Sequence, residues 1–193
     1  MNSINSINFF SESGALLEGH FILSSGLHSP KYLQCALALQ FPGDAAKYGR
    51  EIAEHFLDTG IDTVASPAIG GLVIGYATAA AMNVRFIWTE RQNGEMTLRR
   101  GFSLKEGERI LVVEDVITTG GSTRECIAAL TANGGNVVAA ASIIDRSNGA
   151  ADVGVPRISL LSLDVPSYAP DVCPMCETGI EAVKPGSRTV AAK

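Results

Sequence analysis

The chain has 193 residues, 46% of them hydrophobic and 6% aromatic, with a formal net charge of −5 at pH 7. Its length predicts one domain with a sizeable core of Ala, Val, Ile and Leu, a composition common where strands are sandwiched between helices. The acidic pI of about 5.2 argues against a nucleic-acid partner, and without a long apolar run or a signal-like N-terminus we expect a cytoplasmic protein that makes no membrane contact.

The first part of the chain gives an irregular pattern followed by a clear helix. We predict a short helix over residues 5–18 and an irregular or hairpin region over 20–39. A helix with one buried stripe is predicted over 43–59, before Gly60, because apolar residues recur there every four positions. These residues are Tyr48, Ile52 and Phe56.

Strands and helices then alternate, which predicts a parallel sheet with crossover helices. The predicted strands are 62–66, 84–89, 109–116, 136–144 and 157–164, and the predicted helices are 70–82 and 121–133. Residues 90–108 interrupt the alternation with a polar, glycine-containing stretch. Because long connections in compact domains are often functional, we predict a mobile lid there.

The most informative stretch is Ile110–Thr123, ILVVEDVITTGGST, in which an apolar strand leads to two acids and a glycine-rich turn that opens a helix. Backbone N–H groups of such a turn, together with the helix N-terminus, suit a phosphate monoester. The preceding acids would reach the sugar hydroxyls beside that phosphate. The chain has neither the Gly-Lys-Ser/Thr of an ATP-type loop nor a Gly-x-Gly-x-x-Gly after a strand. An ordinary turn with an acidic helix cap is the alternative interpretation.

Residues 110–123 resemble the phosphoribosyl pyrophosphate signature of the type I phosphoribosyltransferases. The resemblance implies their α/β fold, with a central, mostly parallel sheet flanked by helices and a small N-terminal hood. It also implies that Glu114 and Asp115 hold the ribose hydroxyls. The residues implied to wrap the 5′-phosphate are Thr118, Thr119, Gly120, Gly121 and Ser122.

Three other places resemble the orotate phosphoribosyltransferases. Residues 19–32 are similar to their hood, and Arg146, at a strand end, falls where an arginine of that family pairs with substrate. A guanidinium has the fork geometry to bind the orotate carboxylate. Glu90 and Arg91 open the polar loop as in the family, which implies a substrate contact for Arg91. The hood residues implied to contact the base are Ser24, Ser25, Gly26 and Tyr32.

The segment Ser66–Gly71 corresponds to the pyrophosphate loop of that family, although an ordinary strand-to-helix turn is the alternative. The residues implied to bind there are Ala68, Gly70 and Gly71. The chain departs from the best-known members, which have lysine where it has Gly70 and Ser24, and a lysine and a histidine in the mobile loop. We therefore expect Arg99 and Arg100 to supply catalytic charge for pyrophosphate; the alternatives are that they are solvated loop charges, or that catalysis is weakened or lost.

The resemblance implies that the phosphoribosyl group is transferred to orotate with Asp115, Glu114, Arg99 and Arg100 as the catalytic residues. It further implies Mg²⁺ held through the substrate rather than by the protein, and a homodimer. A different base as acceptor, or a non-catalytic sensor of phosphoribosyl pyrophosphate, are the alternatives. The implied organisation is a hood over 1–40, a binding core over 41–168 and a tail over 169–193, within a single domain overall.

The motif Cys173-Pro-Met-Cys176 offers half of a zinc site, since a closed site needs four ligands. Cys35 and Cys126 are isolated in core-like segments. The histidines show no ligand-like spacing; they are His20, His28 and His55. We interpret the motif as a turn with free thiols, with zinc shared across a dimer or a redox pair as the alternatives.

Overall fold

The computed structural model describes residues 14–23 and 26–185. The chain divides into two compact units. The smaller comprises Met1–Leu37 with Asp164–Lys193, and the larger comprises Ala38–Leu163. Residues far apart in sequence therefore build the smaller unit together.

In the smaller unit, strand β1 (Leu16–Ile22) pairs antiparallel with β2 (His28–Leu33). Helix α1 follows at Cys35–Leu39 and spans the boundary between the two units. The later segment of this unit has a 3-10 turn at Pro170–Val172 and a one-turn helix at Pro174–Glu177. Isolated bridges join this segment to both strands, from Val183 to β1 and from Tyr168 to β2.

The larger unit is a six-stranded sheet with helices. Its strands are β3 (Thr63–Pro67), β4 (Arg85–Gln92), β5 (Glu95–Leu98), β6 (Arg109–Ile117), β7 (Asn136–Asp145) and β8 (Arg157–Ser162). Their order is β5-β4-β3-β6-β7-β8, and only β5 runs antiparallel to its neighbour. The helices are α2 (Pro42–Glu54), α3 (Gly71–Met82) and α4 (Gly121–Ala132). The predicted mostly parallel sheet with flanking helices is confirmed, and the region predicted as a small N-terminal hood contains a two-stranded antiparallel sheet.

The centre of the core is β6. Four consecutive apolar residues, Ile110–Val113, are 0% exposed. Such an unbroken apolar run is typical of a parallel strand that is covered on both faces. The run itself therefore predicted this strand from the sequence. Among the described residues, no helix is long and apolar enough to cross a membrane.

Two of the predicted helices differ from the structure. Residues 16–18 are extended rather than helical, because Leu16 and Leu17 pair with Leu33 and Tyr32 across the hairpin; residues 5–13 lie outside the described residues. The helix predicted over 43–59 ends at Glu54. Asp58 then adopts a left-handed conformation, with φ of 62°, so the chain turns before Gly60.

The segment 90–108 is not a simple loop. β4 continues to Gln92 and pairs with β5 in a hairpin. Four apolar side chains of the segment pack against the core: Met96, Leu98, Phe102 and Leu104. One face of the segment is therefore packed against the core. The polar composition of the segment did not predict this packing.

Candidate active site

Two loops meet the carboxyl edge of the sheet where its strand order reverses. The chain passes from β3 to β4 on one side and from β6 to β7 on the other, while β3 and β6 are parallel neighbours. In open α/β sheets, ligands bind outside the carboxyl ends of the strands at such a point. The first loop, residues 68–70, follows β3, and the second loop, residues 118–120, follows β6.

The first loop approaches the end of β6 so closely that a Cβ on Gly70 or Gly71 would require its neighbours to shift. A Cβ on Gly70 would lie 2.8 Å from Oδ1 of Asp115, and one on Gly71 would lie 2.8 Å from the carbonyl oxygen of Val113. The N–H of Ala68 donates to the Thr89 carbonyl at 2.8 Å, so it is already satisfied by β4. At Gly70 and Gly71, the first loop therefore presents backbone atoms rather than side chains to Glu114 and Asp115.

Glu114 and Asp115 form a buried acidic pair at the end of β6. Glu114 is 7% exposed, and burial raises its pKa well above the usual range, with the charge of Asp115 adding to the effect. Burial also raises the pKa of Asp115, although hydrogen bonds from Glu114 and from the Val116 N–H oppose this. Within the described residues, no lysine or arginine forms an ion pair with either acid. The pair therefore binds protons more readily than two free carboxylates.

The second loop presents donors beside this pair. Its Gly120 has a φ of 75°, and a Cβ there would lie 2.9 Å from Val153 Cγ1, so glycine is required. Gly121 begins α4, whose N-cap residue makes no side-chain cap hydrogen bond. The hydroxyl side chains of the segment are exposed: Thr118, Thr119 and Ser122. Uncapped N–H groups with hydroxyls around them suit an anion.

Arg124, which the sequence analysis did not single out, fixes the shape of the second loop. Its Nη1 donates to the carbonyl of Thr119 at 2.9 Å and to that of Asp152 at 2.6 Å. A basic residue one turn after a glycine-rich helix start was the available signal. Arg124 therefore holds the second loop through its backbone carbonyl groups and leaves the N–H groups of the loop available to a ligand.

Arg146 follows β7 at the same edge of the sheet. Its backbone N–H donates to the carbonyl of Ile117, at the end of β6, at 2.8 Å. The preceding Asp145 is 5% exposed. Burial raises the pKa of its carboxyl group, but the hydrogen bonds that the carboxylate accepts lower the pKa by more, so that the net shift is downward. The donors are Ser147, Gly149 and Arg157. Asp145 thus fixes the turn that carries Arg146.

The predicted loop arginines lie on the β4–β5 hairpin, in the case of Arg91, or directly after it, in the case of Arg99 and Arg100. Arg100 binds both carboxylate oxygens of Glu90, at 2.6 and 3.0 Å, and Arg99 lies 3.8 Å from the same carboxylate. The hydrogen bond from Arg100 is the main cause that lowers the pKa of Glu90. Arg91 pairs with Glu125 of α4. Because β4 is parallel to β3 and continues beyond it, the hairpin tip lies at the carboxyl edge of the sheet.

The hood residues belong to the smaller unit. Ser24 and Ser25 lie outside the described residues. Gly26, with φ of 84°, lies in the turn between β1 and β2. Tyr32 is on β2, and its ring centroid is 5.8 Å from that of Phe21.

A second cluster of chemically active side chains lies within the smaller unit. One donor atom from each of His20, His28, Cys173 and Cys176 lies within 4.8 Å of the other three. The sequence spacing of the histidines did not indicate this cluster, in which His20 and His28 supply the two further donors that a closed site with Cys173 and Cys176 would need. Cys35 and Cys126 are buried elsewhere, as predicted, and none of the four cysteines is in a disulfide.

Comparisons with known proteins agree with this architecture. A family model described as "Phosphoribosyl transferase domain" matches residues 41–164. The orotate phosphoribosyltransferase of Pelotomaculum thermopropionicum is 53% identical over 184 residues, covering 95% of this chain and 97% of the relative. That of Caldicellulosiruptor bescii is 52% identical over 188 residues, covering 97% and 99%. The crystal structure of orotate phosphoribosyltransferase from Aeropyrum pernix superposes with a TM-score of 0.69 at 28% identity, covering 81% of this chain and 92% of that one.

Proposed function

This chain belongs to the orotate phosphoribosyltransferases, and we propose that it transfers the phosphoribosyl group of phosphoribosyl pyrophosphate to orotate, releasing pyrophosphate and orotidine 5′-monophosphate. The observation that carries the proposal is the buried acidic pair at the end of β6, which is followed along the chain by an uncapped helix N-terminus. An anion-binding loop next to hydroxyl-binding acids matches a sugar phosphate. The near full-length similarity to relatives of that name supports orotate as the acceptor.

We assign the acidic pair to the ribose. Asp115 and Glu114 would accept hydrogen bonds from the 2′ and 3′ hydroxyls, holding C1 in place for attack by N1 of orotate. Two buried carboxylates with no cationic partner among residues 14–23 and 26–185 also fit a site at which a hard cation is bound nearby. We propose that Mg²⁺ is held through the substrate, where it would supply positive charge to the leaving pyrophosphate.

The phosphate groups would lie against the two loops. The second loop, with Thr118, Thr119, Gly120, Gly121 and Ser122, is proposed to bind the 5′-phosphate, and Gly70 and Gly71 are proposed to face the pyrophosphate. Ala68 would act in shaping this loop, since its N–H already binds Thr89. Preorganised donors of this kind stabilise charge as it develops in the transition state.

Arg99 and Arg100 are proposed to bind the pyrophosphate by exchanging partners. Both side chains are half-exposed beside Glu90, and exposed ion pairs are worth little in water. A polyanion at the carboxyl edge would therefore compete with Glu90 for both guanidinium groups. Arg91 is proposed to contact substrate from the same hairpin.

For the base, we propose that Arg146 pairs with the orotate carboxylate. The turn that carries Arg146 is held by the buried Asp145, which keeps its backbone in place before substrate arrives. The hood residues proposed to contact the base are Ser24, Ser25, Gly26 and Tyr32.

The assembly and location are also part of the proposal. A homodimer is supported by an apolar stripe that runs from the first loop onto α3, formed by Ile69, Val73 and Tyr76, which are 79%, 47% and 66% exposed. A cytoplasmic location is supported by the four unbridged cysteines, which suit a reducing compartment.

The test is the loss of orotate ultraviolet absorbance on mixing the protein with phosphoribosyl pyrophosphate and Mg²⁺, with adenine, uracil and xanthine followed in parallel by pyrophosphate release. We expect orotate alone to react. Asp115→Asn should lower kcat/KM by roughly a hundredfold or more, and Arg146→Ala should abolish orotate turnover.

Matched controls are Asp58→Asn and Arg50→Ala, since both residues are exposed and neither adjoins the two loops. Both variants should keep the normal rate. If no base reacts while phosphoribosyl pyrophosphate still binds, the enzyme assignment is wrong and the chain is a sensor of that metabolite.

A further inference from the structure

The four-donor cluster of the smaller unit has the dimensions of a metal site. Cys176 Sγ lies 3.3 Å from His28 Nδ1 and 3.8 Å from His20 Nε2, and Cys173 Sγ lies 3.5 Å from His20 Nε2. Zinc–sulfur bonds of about 2.3 Å and zinc–nitrogen bonds of about 2.0–2.1 Å imply donor separations of roughly 3.3–3.8 Å around a tetrahedron. The nitrogen–nitrogen separation of 2.8 Å is shorter, and a small opening of the two rings would admit the ion.

A backbone contact prepares His20 for this role. Its Nδ1 lies 2.7 Å from the carbonyl oxygen of Ile180. A carbonyl only accepts, so Nδ1 carries the proton and the lone pair of the neutral ring is on Nε2, which faces the other donors. A histidine that binds a metal usually has its second ring nitrogen held in this way.

The cysteines are arranged by a tight turn. The N–H of Cys176 donates to the carbonyl of Cys173 at 3.0 Å, and the N–H of Gly179 donates to that of Cys176 at 3.0 Å. Around this turn, Val183 bonds to the backbone of β1 and Tyr168 bonds to that of β2. The donors therefore come from three chain segments that backbone hydrogen bonds already hold together.

The smaller unit has little else to hold these segments. Its described buried apolar residues are few: Ala15, Phe21, Leu33, Cys35 and Cys173. Small units with limited cores are commonly stabilised by a disulfide or a metal. Cys173, His20 and His28 are 1%, 3% and 8% exposed, so three of the donors are shielded from solvent.

We propose that His20, His28, Cys173 and Cys176 bind one zinc ion as a structural site that joins the hairpin to the later segment. Two thiolates and two neutral imidazoles balance the charge of Zn²⁺, and sulfur with nitrogen donors in a tetrahedron favour zinc over Mg²⁺. Four protein ligands leave no position open for substrate, so the role is structural. The site does not depend on the proposed transferase reaction.

The first measurement is metal content and cobalt spectroscopy on the full chain purified without an affinity tag of histidines. We expect one zinc per chain, and after exchange with Co²⁺ we expect intense visible bands with sulfur-to-cobalt charge transfer in the near ultraviolet. Less than half an equivalent of zinc after reconstitution with Zn²⁺, or only the weak bands of octahedral cobalt, would overturn the proposal. So would a Cys173–Cys176 disulfide that, once reduced, takes up no zinc.

Variants locate the ion. Cys176→Ser, at an exposed position, should weaken Zn²⁺ affinity by roughly a hundredfold or more in competition with a chromophoric chelator, whereas His55→Asn and Cys126→Ala should not change it. Equal affinity in Cys176→Ser and the controls would refute the assignment. If His20→Ala fails to fold, the wild-type cobalt spectrum still decides the question.

A further readout separates this site from the reaction. A zinc-selective chelator, added with Mg²⁺ in excess, should lower the melting temperature of the wild type but not that of Cys176→Ser already freed of metal. An unchanged melting temperature in the zinc-loaded wild type, with zinc shown to be removed, would contradict a structural role.

Discussion

The surroundings of Glu114 disfavour the ionised form of its carboxyl group. It is buried beside a second carboxyl, and both features raise its pKa. A carboxyl whose folded pKa is raised contributes stability below its unfolded pKa, near 4.5, and that contribution is lost as the pH rises toward the folded value. In the absence of ligand, the acidic pair should therefore destabilise the protein increasingly from acidic to neutral pH.

Glu114→Gln removes this ionisation and should raise the melting temperature of the free protein. The difference from wild type should be small near pH 4.5 and should grow toward pH 8, at roughly 2–4 °C for each kcal/mol. Differential scanning calorimetry across that range, without substrate or Mg²⁺, measures it. Glu54→Gln, at an exposed helix position, is the control and should show no such trend. If the difference in melting temperature stayed constant or decreased toward pH 8, ionisation of Glu114 would not destabilise the folded protein, which would contradict the prediction.

Single residues also show what the sequence reveals and what it conceals. The acidic pair and the second loop were predictable because they are contiguous and each residue type has a local reason. The histidines were not, since His20 and Cys173 are 153 positions apart and only the fold brings them together. The pairing of Arg99 and Arg100 with Glu90 was missed because it depends on a hairpin register.

At the scale of elements, α2 and α3 pack at one point of very close approach. A Cβ on Gly49 would lie 2.6 Å from the backbone carbonyl carbon of Ala77 and 2.7 Å from its oxygen. Backbone atoms cannot move aside as a flexible side chain can. The position of α3, and with it that of the first loop at its N-terminus, therefore depends on the absence of a side chain at residue 49.

Gly49→Ala should destabilise the protein by about 1–3 kcal/mol, the usual range for overpacking. Chemical denaturation at neutral pH checks this value. Gly43→Ala in the same helix is the matched control, because a Cβ there meets nothing within 4 Å, and it should be neutral or slightly stabilising. If both variants have the same midpoint, the helices have room to separate and the close contact is not limiting.

The elements were predictable to different degrees. Between residues 42 and 145, apolar runs and helical periodicity predicted each major strand and helix, because every one has a buried face. The first residues of β1, 16–18, were mistaken for the end of a helix, because their conformation comes from pairing with β2 rather than from their own residues. β5 was missed because Glu95–Leu98 is short and sits among polar residues.

At the scale of the whole molecule, the apolar stripe that begins in the first loop and continues on α3 is exposed among the described residues. Ile69, Val73 and Tyr76 recur at helical spacing and are all exposed. Tyrosine is among the residue types that contribute most to interfaces. Because the stripe continues from the first loop, an interface there would also restrain the proposed pyrophosphate site.

Tyr76→Glu should therefore weaken the proposed dimer by roughly tenfold or more. Light scattering after size-exclusion chromatography, over a dilution series, measures the dissociation. Leu57→Glu is the control: Leu57 is 68% exposed but lies outside the stripe. A monomeric wild type, or equal effects of the two variants, would contradict the assignment of the interface.

The division of the smaller unit between two distant stretches of chain has a consequence for biosynthesis. A ribosome delivers the hairpin first, then all of residues 38–163, and only afterwards the segment that bonds to β1 and β2. Domains generally fold as units while the chain is emerging. We therefore expect that the parallel sheet can form before residues 164–185 have been synthesised. The β1–β2 hairpin can acquire its backbone hydrogen bonds to Tyr168 and Val183 only after that.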